Sequence, residues 1–158
     1  MTAPQAQQIE TRLLFRIVIE TDFGNGRIRI IDGTPWGKLV NVAVSGGTVS
    51  GPAVSGRVLN MGGDWGVQHK VETETGTLHV TELDCKLMIE TDDSDPALIE
   101  MTYGGVSFET TDKQSYFRTT PRFRTADPRY EALNRTVAVA HGFHRDKAGP
   151  IYDVYAIL

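Results

Sequence analysis

Two aspartates sit in settings where a carboxylate could move protons. Asp64 follows Gly62-Gly63 and precedes Trp65. An indole beside it would raise its pKa and let it act as a general acid or base at a pocket mouth. The same residues also fit a turn aspartate that bonds its own backbone while the tryptophan fills a core. Asp84 lies in Leu83-Asp84-Cys85-Lys86-Leu87-Met88-Ile89-Glu90. Strand alternation gives Leu83, Cys85, Leu87 and Ile89 one face and Asp84, Lys86, Met88 and Glu90 the other. Solvent is the ordinary neighbour of such a polar face. A polar-lined cavity would reverse the assignment and bring Asp84 to the site.

The stretch Tyr116-Phe117-Arg118-Thr119-Thr120-Pro121-Arg122-Phe123-Arg124-Thr125 supplies the other groups. Arg118 could clamp a carboxylate or enolate oxygen, because a guanidinium stays charged and offers paired donors. Tyr116, Arg118 and Thr120 share one face, and we expect that face to line an interior. Phe117, Phe123 and Trp65 would be the apolar walls. Tyr103, before Gly104-Gly105, could donate to a developing oxyanion. As a purely structural residue, Arg118 would instead pair with an outer acid and contribute little.

Metal and nucleotide chemistry find no foothold. His141 and His144 are three apart on a strand and so point to opposite faces. There is no HExxH helix or cysteine pair for zinc, and the Asp92, Asp93, Asp95 run lacks the glycine and terminal glutamate of a calcium loop. A Gly-x-Ser-x-Gly elbow, a Walker loop and a dinucleotide fingerprint are all missing. No metal and no cofactor are expected. Cys85, the single cysteine, reads as a small buried residue, with no internal disulfide to form. With 16 basic against 20 acidic residues the net charge is -4, which disfavours nucleic acid despite the local run of arginines.

The elements that must hold these residues are strands. Leu13, Phe15, Ile17 and Ile19 alternate with Leu14, Arg16, Val18 and Glu20, and period two continues almost throughout. Strands are expected over 13–19, 27–31, 38–44, 48–59, 65–74, 77–90, 97–109, 115–124, 135–144 and 151–157. Gly24-Asn25-Gly26, Gly46-Gly47, Gly62-Gly63, Thr75-Gly76 and Lys147-Ala148-Gly149-Pro150 read as separators. Only Asp127 to Asn134 looks helical, as one short turn begun by Asp127-Pro128. Residues 1–10 read as a loose tail without a secretory signal, and 11–158 as one domain. At 40% apolar and 23% charged residues, the chain has the composition of a globular protein. Strands with short connections predict an all-β fold, an antiparallel sheet of about eight to ten strands closed into a barrel or folded into a sandwich. No apolar stretch suits a membrane span, and a cytoplasmic location is the default expectation.

Several motifs together, the Tyr116–Thr125 stretch, Gly62-Gly63-Asp64-Trp65, Leu83-Asp84 and Tyr130-x-x-Leu133-Asn134-Arg135, resemble the DUF3237 (UPF0311) family. The resemblance runs from about Leu14 to Ile157. It implies a closed antiparallel β-barrel with an internal cavity, similar in shape to lipocalin or allene-oxide-cyclase barrels, with the Gly-Asp-Trp motif near that cavity. Lys86 stands where the family more usually has an arginine, which weakens an anion clamp there. The expected function is binding of one small, mostly apolar carbonyl-type compound, with acid/base chemistry of the isomerase, cyclase or hydro-lyase kind. Asp64 and Asp84 would be its acid and base, with Arg118 and Tyr103 holding an oxyanion. Trp65, Tyr116, Phe117, Thr120 and Phe123 would contact the substrate. The alternatives are a carrier or sensor barrel without chemistry, and a barrel that serves mainly to form a homo-oligomer.

Overall fold

The computed structural model describes residues 6–21, 28–110, 112–145 and 148–158. The Gly24-Asn25-Gly26 turn lies outside these. Among the described residues nine strands form one antiparallel sheet: β1 (Thr11–Thr21), β2 (Ile28–Thr34), β3 (Gly37–Ser50), β4 (Gly56–Thr73), β5 (Gly76–Thr91), β6 (Leu98–Glu109), β7 (Ser115–Arg124), β8 (Ala138–Arg145) and β9 (Ala148–Ile157). Their order is β1-β9-β8-β7-β6-β5-β4-β3-β2, and β1 also pairs with β3. That second pairing closes the ring. Ser50 to Val44 of β3 face β1, whereas Val42 to Gly37 of the same strand face β2. The result is a closed barrel of β1 and β3 to β9, with β2 paired to the same edge of β3 beyond the β1 pairing. Among the described residues no helix is long and apolar enough to cross a membrane.

Glycines expected to separate strands instead bend them. Gly46-Gly47 sits inside β3 and Gly62-Gly63 inside β4, each beside a shift in pairing register. Gly62 has φ +87°, and a Cβ there would fall 2.1 Å from the Lys86 carbonyl oxygen. Such bulges let long strands coil around a small barrel. The true break lies at Gly51–Ser55, within the segment 48–59 that reads as one strand. A further bulge between Leu13 and Phe15 buries both Leu14 and Phe15 and turns Leu13 outward, against simple alternation.

One end of the barrel is filled. Phe15, Ile17, Ile89, Ile99, Met101 and Val154 are completely buried, and Phe123 packs edge-on against Phe15 at 5.8 Å. A one-turn 3-10 helix, Glu131–Arg135, presses Leu133 into this end. The Tyr130 hydroxyl donates to Asp93 at 2.7 Å, and the Arg129 guanidinium donates to the Asp95 carbonyl at 2.7 Å, tying the helix to the β5–β6 connection. Pairing of β7 with β8 spans only Arg118–His141 and Thr119–Ala140. Pro121 follows two residues later, and a residue without an N–H could not extend that ladder.

Candidate functional site

The other half of the barrel, toward the β4–β5, β6–β7 and β8–β9 turns, is not filled. It encloses a cavity of about 250 Å³. Val40, Val42 and Val44 of β3 with Leu83 of β5 make an aliphatic wall. Facing it, the rings of Tyr103, Tyr152, Phe117 and His144 run in sequence. Tyr103–Tyr152 and Tyr152–Phe117 are edge contacts at 5.1 Å, and Phe117–His144 is stacked at 4.5 Å. A cleft of this size with apolar walls and a few convergent polar groups suits one small organic molecule.

Asp64 is the carboxylate of this cavity. It lies on β4 two residues past the Gly62 bulge, and its side chain enters the β4–β5 ladder. Backbone pairing lapses between Asp64–Cys85 and Val67–Glu82 without a change of register. In the interval the Asp84 N–H donates to Asp64 Oδ1 at 3.0 Å. Burial against apolar walls raises the carboxyl pKa to about 6; the Asp84 N–H opposes that rise and the Asp84 charge adds to it. Near neutral pH the group is therefore mostly ionised but poorly solvated, a condition that favours proton abstraction.

Beside it are hydroxyls with hydrogens to give. Tyr103 and Tyr152 are buried, and burial raises both phenols well above their ordinary pKa, so each stays a neutral donor. The Thr21 Oγ1, in a residue lining the cavity, is buried without a hydrogen-bond partner, and the buried Tyr152 hydroxyl has only the Tyr103 hydroxyl beside it. An unpaired buried polar group costs about 1–3 kcal/mol, so the Thr21 hydroxyl in the cavity wall suits contact with a ligand or water. Cys85 also lines the cavity, with burial pushing its thiol up to about 12; it is inert there, as expected from sequence.

The model of the family described as "Protein of unknown function (DUF3237)" matches residues 9–157. The chain belongs to this family. A curated relative, a UPF0311 protein of Rhodopseudomonas palustris strain CGA009, is 32% identical over 129 residues, covering 74% of this chain and 78% of its own. The crystal structure of a "beta-barrel like protein" from Acinetobacter baumannii AYE superposes with a TM-score of 0.79 at 27% identity, over 98% of this chain and 99% of that one. A structure described as an enzyme from Penicillium herquei shares the fold, with a TM-score of 0.66 and 18% identity over 99% of this chain and all of the other.

Of the residues singled out in the sequence, the cavity brings together Asp64, Tyr103 and Phe117. Phe123 points inward but belongs to the packed end. The rest are outside, and the expectation that Tyr116, Arg118 and Thr120 line an interior is overturned. On β7 the inward residues are Phe117, Thr119, Pro121 and Phe123. Arg118 lies over the Tyr116 ring at 5.0 Å and donates to the Phe117 carbonyl at 2.9 Å on the outer surface. Trp65 is 55% exposed, because a neighbour of Asp64 on a strand must face the opposite way. Asp84 is exposed as well and reaches the site only through its N–H and its charge. Two participants escaped the sequence reading. Tyr152 follows from the inward phase of Tyr152, Val154 and Ala156, and His144 from that of Ala138, Ala140 and Gly142.

Proposed function

We propose that this barrel binds a small, largely apolar carbonyl-type compound and carries out proton-transfer chemistry on it, with Asp64 as the base. The observation that carries the reading is one carboxylate among the described lining residues, its pKa near 6, in the apolar wall of the barrel cavity. Such a base removes a proton from carbon or oxygen next to a carbonyl, and the Tyr152 and Tyr103 hydroxyls give hydrogen bonds to the oxyanion that develops. Isomerisation and loss of water begin with that step, and in cyclisation or addition of water the same carboxylate takes the proton of the attacking group. The Penicillium herquei protein described as an enzyme supports the capacity of this fold for catalysis.

A test needs no native substrate. In 5-nitrobenzisoxazole a base takes the C3 proton, the C–H electrons form the nitrile as the N–O bond breaks, and oxygen leaves as a phenoxide. The protein should turn this compound over with a rate that rises through an apparent pKa near 6. Asp64→Asn should lower the rate roughly a hundredfold or more. Equal rates in the two proteins would remove Asp64 from the chemistry. Binding of the product phenol without any turnover would make the barrel a carrier.

A further inference from the structure

We infer that Ser107 and His144 form a second ligand-binding pole at the cavity mouth, on the wall opposite Asp64, which grips a hydrogen-bond acceptor at the outer end of the ligand. This rests on the reading of the cavity as the ligand site and names the class of molecule it takes. Asp64 is on β4 and His144 on β8. In the closed ring, β7, β6 and β5 separate them on one side and β9, β1 and β3 on the other, so the two residues are diametrically placed. Both border the same cavity.

The pair is built rather than incidental. Ser107 Oγ lies 2.7 Å from His144 Nε2, and Ser107 is buried while the imidazole is open to solvent on its outer side. The ring is held from beneath by Phe117, stacked at 23° between planes. Phe117 can lie there because position 142 is glycine: a Cβ at Gly142 would fall 2.5 Å from the phenyl ring. Partial burial lowers the imidazole pKa, so the ring is neutral above the ordinary histidine range. The neutral pair carries two polar hydrogens, the serine O–H and one ring N–H, and their mutual bond uses one. Whichever tautomer is present, one donor hydrogen remains, on Ser107 or on His144. The deep end of the cavity offers the opposite character: a carboxylate that accepts. A complementary ligand therefore has an acidic O–H or C–H at one end, an apolar body that fits between the valine wall and the rings, and a carbonyl, nitro or similar acceptor at the other.

Phenol and 4-nitrophenol, measured by calorimetric titration below the ionisation of either, separate the two poles. Both carry the hydroxyl for Asp64, and only the second carries an outer acceptor. His144→Phe should weaken 4-nitrophenol about fivefold, one hydrogen bond's worth, while leaving phenol within twofold. His144→Gln, whose amide keeps a donor, should recover part of that loss. Ser107→Ala, which leaves the ring unanchored and removes the other candidate donor, should show a loss of the same sign. Asp64→Asn should weaken both phenols together. If 4-nitrophenol binds His144→Phe and Ser107→Ala as it binds the unaltered protein, the second pole does not exist. If only Asp64→Asn is without effect, the deep pole is wrong and the mouth pole stands.

Discussion

The two halves of this barrel are made from the same strands and differ in what the inward positions carry. Along β6, Ile99 and Met101 fill the closed end completely, and Tyr103 and Ser107 then bring hydroxyls into the cavity. Along β9 the order runs the other way, from Tyr152 at the cavity to Val154 and Ala156 in the packed end. The cavity half holds an ionisable carboxyl, two buried phenols and the unpartnered Thr21 hydroxyl. One half thus supplies the stability against which the other half's unsatisfied polar groups are held in place.

The largest effect that could break this division is on the closed end. Phe15→Ala should destabilise the protein by about 3–5 kcal/mol, because Phe15 is completely buried and its loss leaves a void against Phe123. Val42→Ala, bordering space that already exists, should cost about 1 kcal/mol or less while enlarging the cavity. Denaturant titration measures both. Similar costs at the two positions would mean that the cavity half is packed in solution and the division does not hold.

Next in size is the stability change on neutralising Asp64. Its folded-state pKa lies above the unfolded one, near 3.8 against about 6. The folded state therefore holds the proton more tightly. The stability this contributes is present below about pH 4 and is lost as pH rises through 6, after which the difference stays constant. Asp64→Asn keeps an acceptor for the Asp84 N–H and removes the buried charge. It should match the unaltered protein near pH 4 and exceed it by about 2 kcal/mol at pH 7 and above. A variant that is less stable at pH 7, with the opposite pH trend, would show that Asp64 is a structural hydrogen-bonding group and not a destabilised functional one.

The sequence made the strands and the barrel legible because period-two alternation is a direct imprint of an inside and an outside. It also pointed to Asp64 and Tyr103. It misjudged which face was which wherever both faces carried rings and polar groups. On β7, Tyr116, Arg118 and Thr120 look as suited to a polar pocket as Phe117, Thr119 and Pro121 do to a core. The deciding fact is non-local: Phe117 has Gly142 beneath it, across a strand pair that is only two rungs long. Adjacent residues such as Asp64 and Trp65 could not both enter one cavity, a constraint the alternation already contained. The bulges at Gly47 and Gly62 were invisible because glycine marks a turn and a bend in the same way.

The smallest expected effect concerns the residue that looked most like chemistry. Arg118 lies outside the barrel, over Tyr116 and beside His141, its partner residue on β8. Burial holds the His141 pKa below its ordinary value, and the Arg118 charge lowers it further, against the opposing pull of Asp153. Arg118→Gln should therefore raise the His141 pKa, read from its ring proton shifts, while stability moves by no more than about 0.5 kcal/mol. Turnover of 5-nitrobenzisoxazole and its dependence on Asp64 should be unchanged, since a wall of buried side chains separates the guanidinium from the cavity. A fall in turnover with no change at His141 would place Arg118 inside after all, and the inward phase assigned to β7 would have to be reversed.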